Sequence, residues 1–146
     1  MSPPAWMMEV IEPTSARIYG LVARSARCAI LLRRGPTRNV RMLVWDLEVD
    51  TLEPGQWLKS RVYERCCDLT PDGKFLIYFA ASNRKPLRAW TAISRPPYFT
   101  ALILWPNLGC WGGGGLFTGE HLLKLNQAVI ADGCPADGFL VPPHLH

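Results

Sequence analysis

The segment Cys67-Asp68-Leu69-Thr70-Pro71-Asp72-Gly73-Lys74-Phe75-Leu76-Ile77-Tyr78-Phe79-Ala80-Ala81 constrains this chain most: a tight turn runs straight into a dense apolar stretch. Pro71 presets φ at the second position of the turn, and Gly73 supplies the positive φ that such turns often need. From Phe75 to Ala81 there is almost no polarity, and aromatic side chains abound. The run is far short of the ~20 residues of a membrane-spanning helix. It is the pattern of a buried strand, and it recurs around Ala101 to Trp105. The chain is therefore expected to be β-rich.

At 146 residues the sequence fits one domain. Hydrophobic residues are 49% of it, and six Trp give large burial payloads. Thirteen Pro and twelve Gly oppose long helices and favour short strands joined by turns. We expect strands over Ala16–Ala23, Arg27–Arg34, Val40–Leu47, Trp57–Cys66, Phe75–Ala81, Leu87–Ser94 and Thr100–Trp105. Loops at Gly35–Asn39 and Ser82–Pro86 separate them, with a break at Glu53-Pro54-Gly55. Thr118 to Asn126 reads as a short capped helix or as a strand. Strand is preferred, because Gly119 falls where the first helical turn would begin. The expected architecture is an all-β antiparallel meander of six to eight short strands over residues 1–130, as an open sheet, a sandwich or a partial propeller-like arrangement, followed by an irregular tail over 131–146. Ile30, Leu32, Val44, Leu76, Tyr78, Ala101, Ile103 and Trp105 are the expected core.

Charge is unevenly spread. Seven arginines (Arg17, Arg24, Arg27, Arg33, Arg34, Arg38 and Arg41) precede any acid in that stretch, and Asp46, Glu48, Asp50 and Glu53 follow as a compact acidic patch. Twelve of the sixteen basic residues are Arg, which favours planar, stacking contacts. The simpler expectation is that neighbouring strands cancel these charges across the sheet. Charged residues total only 19%, below the ~25% of ordinary soluble domains, which points to a partly covered surface.

Leu69 to Tyr78 resembles the strand-opening motif of TolB-type and WD-type β-propeller blades. Trp90–Phe99 and Trp111–Phe117, the latter reading WGGGGLF, are similar to blocks carried in this order by a family of uncharacterised bacterial proteins. The resemblance covers about Arg27 to Asn126 and implies a bacterial β-rich protein. It brings no activity, catalytic residue or cofactor. A closed propeller needs at least four blades of ~40 residues, more than 146 residues supply.

No catalytic constellation emerges. The glycine run after Trp111 has no Lys or Ser/Thr at phosphate-loop spacing, so a tightly apposed loop is expected there. His121, His144, His146, Cys110 and Cys134 match no zinc spacing. Cys66 stands beside Arg65, yet spacing ties no base to it. Asp46, Glu48 and Asp50 alternate as if sharing one strand face, where solvating the sheet end outweighs holding a metal. The expectation is a non-enzyme with no metal and no cofactor.

Two binding readings follow. The first is a protein-interaction adaptor or scaffold module docking through Arg95, Pro96, Pro97, Tyr98, Phe99 and Trp111, where rigid proline and aromatic anchors lose little entropy. The alternative is nucleic-acid binding through the Arg17–Arg41 segment, with Arg33, Arg34, Arg38 and Arg41 as contacts and aromatics as stacking platforms. A net charge of +4 permits the second without demanding it. No membrane partner is expected. Met1 to Glu9 lacks the basic start and apolar run of a signal peptide, and five cysteines with two adjacent make a poor disulfide framework. The expected compartment is the reducing cytoplasm. Thiol labelling of freshly purified, unreduced protein should modify all five cysteines once it is unfolded, and protected disulfides would contradict that compartment.

Overall fold

The computed structural model describes residues 16–35, 38–82, 87–107, 112–119 and 122–126. Eleven short strands and one 3₁₀ turn make up the regular structure among these residues. Strands β1 (Arg17–Val22), β2 (Cys28–Arg34), β3 (Val40–Asp46) and β4 (Thr51–Leu58) form an antiparallel meander, the first sheet. The second sheet runs β5 (Arg61–Val62), β7 (Leu76–Ala81), β8 (Ala89–Ser94), β9 (Ala101–Asn107), with β6 (Asp68–Leu69) also pairing β7. A small hairpin of β10 (Gly115–Phe117) and β11 (Leu123–Leu125) completes the set. The expected all-β antiparallel class is what the chain adopts, with open sheets.

The layering follows from which strand faces are apolar. Ile30, Leu32, Val40 and Met42 of the first sheet pack against Leu76, Tyr78, Ala80, Trp90 and Ala92 of the second. The opposite face of the second sheet presents Ile77, Ile93, Ile103 and Trp105, which Phe117 and Leu123 of the hairpin cover. All six residues of β7 and all six of β8 are therefore buried. A strand covered on both sides needs apolar residues at every position instead of every second one.

The turn before β7 is built as its residues require. Gly73 has φ of 75° and donates its N–H to the Thr70 carbonyl at 2.8 Å. Asp72 Oδ1 accepts the Lys74 N–H at 3.0 Å and the Thr70 hydroxyl at 2.7 Å. Burial alone would raise the Asp72 carboxyl, but these hydrogen bonds and the Lys74 charge outweigh it and hold its pKa below the usual value.

Side-chain ties lock the layers together. The Asp68 carboxylate accepts the Phe117 N–H at 2.7 Å and lies 3.9 Å from the Arg24 guanidinium, which itself donates to the Phe117 carbonyl at 2.8 Å. Gln56 Oε1 accepts the N–H groups of Phe99 and Thr100 at 2.7 and 3.1 Å, joining β4 to the segment entering β9.

Several expectations need correction. Glu53-Pro54-Gly55 is no break, because β4 runs straight through it. Three steps on β4 match two on β3 between Arg41 and Leu43, and an edge strand tolerates both that bulge and a proline. Trp57 to Cys66 is not one strand. The chain passes from one sheet to the other there, so β4 ends at Leu58, β5 spans two residues, and Glu64–Cys66 is a 3₁₀ turn. Asp46, Glu48 and Asp50 share no strand face: β3 ends at Asp46, whose Oδ1 accepts the Glu48 and Val49 N–H groups at 2.9 and 3.3 Å to close a turn. Val44 and Ala101 are only partly buried, whereas Ile30, Leu32, Leu76, Tyr78, Ile103 and Trp105 lie in the core. Thr118 to Asn126 supplies one strand, β11, and its partner β10 comes out of the glycine run.

Two measurements probe this packing. Leu76→Ala should cost about 2–5 kcal/mol in denaturant unfolding, the range for a core leucine, and a loss under about half a kcal/mol would place it at the surface. Tyr78, whose hydroxyl donates to the Phe99 carbonyl at 2.6 Å, is pushed up to about 12 by burial. Its neutral form is the folded one, so its contribution is intact below the unfolded value of ~10 and is lost as pH rises from there through the folded value. Ultraviolet titration of the native protein should show one tyrosine ionising only near about 12.

Candidate interaction surface

The cross-strand register defines what the first sheet shows to solvent. Ile30, Leu32, Val40 and Met42 point into the core, so the residues between them point out. Direct pairing then lays out three rows across β1 to β4. One row is Ile18, Arg33, Arg41, Trp57; the middle row is Gly20, Leu31, Leu43, Pro54; the last is Val22, Ala29, Trp45, Leu52. No described core cluster includes any of these residues, although Ala29 is itself buried beneath its neighbours. Ile18 and Val22 are each 66% exposed, Leu52 55% and Trp57 49%. This is an antiparallel sheet face without the polar alternation that usually faces water.

The outward charges on this sheet are mostly segregated end to end, the exception being Arg27, whose carbonyl accepts the Leu47 N–H at 2.9 Å beside the acidic turn. Arg33 stands opposite Arg41, and Arg17 opposite Arg34, so the neighbouring strands do not cancel the basic stretch. Arg38 and Lys59 lie exposed at the same end. The Arg41 guanidinium sits 5.4 Å from the Trp57 ring and its Nε donates to the Gly55 carbonyl at 3.1 Å. At the far end Asp46, Glu48 and Asp50 cluster in the β3–β4 turn. Asp50, with φ of 54°, accepts the Trp45 indole N–H at 2.9 Å, which puts a carboxylate on the outer face. Among the described residues the one ion pair is Arg24–Asp68, away from this face.

The Arg95–Phe99 segment divides between inside and outside. Pro97 and Phe99 are buried and Pro96 half-buried. The Pro97 carbonyl accepts the Gln56 N–H at 2.9 Å, and a Cβ on Gly55 would come within 2.1 Å of that same oxygen. Arg95 lies 5.7 Å from the Phe75 ring, and Tyr98 is 54% exposed. Trp111 lies outside the described residues, as do Cys110, Cys134, His121, His144, His146 and the tail over 131–146. The glycine run is a packing device where it is described. A Cβ at Gly113 would lie 2.2 Å from Phe79, and one at Gly114 1.9 Å from the Cys66 carbonyl oxygen.

Other chemistry is sparse among the described residues. Cys28, Cys66 and Cys67 are free thiols, and burial pushes Cys67 up to about 12. A cleft of about 340 Å³ lies between Arg65, Cys66, Lys124 and Asn126. Among the described residues no group of three or more metal-ligating side chains occurs, and no helix is long and apolar enough to cross a membrane. No protein-family model matches the chain, and no curated protein or solved structure is significantly similar to it.

This face is hidden in the sequence because its apolar members are spread singly over β1, β2, β3 and β4. Only the register gathers Val22, Leu52 and Trp57. The signal was the 19% charge content together with Arg33, Arg34 and Arg41 flanking one hairpin.

Proposed function

We propose that this chain is a non-catalytic protein-interaction module, an adaptor or scaffold of a bacterial complex, docking through the outer face of β1–β4. The observation that carries the reading is the exposure of Ile18, Val22, Leu52 and Trp57 on one continuous sheet face. Exposed apolar side chains gathered on one face, with the half-buried Leu31, Leu43 and Trp45 between them, mark a binding surface. Tyr98 and the half-buried Pro96 extend the contact in this reading, while Pro97 and Phe99 hold the loop. The propeller-blade resemblance is part of the same proposal, and a four-stranded meander stacked on a second antiparallel sheet supports it. Free thiols at Cys28, Cys66 and Cys67 support a reducing compartment such as the cytoplasm.

A second reading, nucleic-acid binding, is favoured by one specific arrangement: Arg33 and Arg41 side by side with Trp57 under the Arg41 guanidinium. Stacking platforms flanked by Arg serve single strands. The exposed leucine and valine and the acidic far end weigh against it. Pull-down from the native host with and without nuclease separates the two. Retention of a specific protein despite nuclease, lost in Val22→Asp and Leu52→Asp, is the expected result. Retention of nucleic acid alone, with a steep salt dependence abolished by neutralising Arg33, Arg34, Arg38 and Arg41, would transfer the function to the second reading.

A further inference from the structure

The partner for this face must complement an unusual pattern: apolar in the middle, basic at one end and acidic at the other. An acidic peptide satisfies only the arginine end and is repelled at the Glu48–Asp50 end. A nucleic acid fails in the same way. One surface already on the page has the required polarity, which is the face itself.

We infer that the occupant is a second copy of this chain, packed face to face on β1–β4 about a twofold axis lying between the sheets and perpendicular to the strands. The inference rests on the protein-interaction reading and names its partner. The charge pattern selects that axis. A twofold along the strands would set Arg33 over the partner's Arg41 and Arg41 over the partner's Arg33. The perpendicular twofold reverses the strands of the second copy, so the row of Ile18, Arg33, Arg41 and Trp57 lies over the partner's row of Val22, Ala29, Trp45 and Leu52. Arg33 and Arg41 then meet Trp45 and the Asp50 carboxylate bound to its indole, and the middle row with Leu31 and Leu43 packs on itself at the axis. Such an interface is isologous, each contact occurring twice. Two twisted sheets stacked in this way make an ordinary aligned sandwich interface.

Area sets the strength. Four strands ~4.8 Å apart and seven residues of ~3.3 Å rise give a face of roughly 19 by 23 Å, about 440 Å² before side-chain relief is counted. That is below the ~800 Å² per partner of a standard interface, which puts the dimer in the weak, concentration-dependent class.

Sedimentation equilibrium of the full chain tests this. The weight-average mass should climb toward twice the monomer's as concentration is raised to about 100 µM, where complexes with dissociation constants of a few micromolar to tens of micromolar are well populated. Added salt should weaken the association. Val22→Asp and Leu52→Asp, at exposed positions that leave the core intact, should each weaken it at least tenfold. The decisive arm is a charge exchange. A chain carrying Arg33→Glu and Arg41→Glu has carboxylates at both ends of its outer face, and one carrying Glu48→Lys and Asp50→Lys has cations at both ends of it. Each should be monomeric alone, and an equimolar mixture should associate, which also shows that both are folded. Three results would overturn the inference: a wild-type chain monomeric throughout, association that nuclease abolishes, or a dimer indifferent to all these substitutions. In the first case, a pull-down partner lost with Val22→Asp would leave the protein-interaction reading standing with a different occupant.

Discussion

Burial of β7 and β8 on both faces is the constraint on which the rest of this structure depends. A strand buried on one side needs a single partner layer; these two strands need two. Ile30, Leu32, Val40 and Met42 provide the first, and Phe117 and Leu123 the second. The arrangement sets demands on residues far from the core. Gly113 and Gly114 must be glycine, since a Cβ at either would run into Phe79 or the Cys66 backbone. Thr91, buried on the hairpin side, accepts the Gly114 N–H on its hydroxyl oxygen at 2.9 Å, so a polar group inside the second sheet is satisfied by the loop that covers it. Buried polar atoms left without partners cost free energy, and among the described residues Ser94 Oγ is the exception.

The layers are then held in register by few polar ties. Asp68 and Arg24 grip both backbone groups of Phe117, linking the β1–β2 turn, β6 and the hairpin in one cluster. Arg24 is exposed, so its ion pair with Asp68 contributes little as a charge interaction. Its value lies in occupying the Phe117 carbonyl. Gln56 does the corresponding work between β4 and the segment before β9, where Gly55 lets the backbones approach closely. These ties explain why Pro97 and Phe99, apolar residues in a loop, are turned inward.

The legible part of the fold was the part dictated by local chemistry. The Thr70–Gly73 turn, the continuous run of β7 and the strands on either side of Gly35 follow from proline, glycine and apolar spacing alone. What escaped was nonlocal. Nothing in Glu53-Pro54-Gly55 announces that β4 is an edge strand and so tolerates a proline and a bulge. Nothing in Leu116-Phe117 announces that a three-residue strand will be used as a lid. The same distinction holds for the candidate surface. Arg95 to Phe99 looked like a docking loop because rigid and aromatic residues stand side by side, but half of it is consumed by packing. The apolar face of β1–β4 is not visible in the sequence, because Ile18, Val22, Leu52 and Trp57 are separated by up to 39 positions and come onto one face only through the pairing of four strands.

That face also makes sense of the charge distribution. An exposed sheet edge invites indiscriminate pairing, and natural proteins restrain it with charge. Here the charges are not scattered for that purpose. Basic groups collect at the β2–β3 hairpin and acidic groups at the β3–β4 turn, about six residues apart along each strand. Such polarity adds little to affinity, because exposed charges are screened. Its effect is on orientation, penalising alignments that bring like ends together by more than it rewards the correct one. In the proposed docking, a surface that is apolar in its centre and polar along its length thus specifies a direction of approach, and the hydrophobic residues between its ends would supply the adhesion.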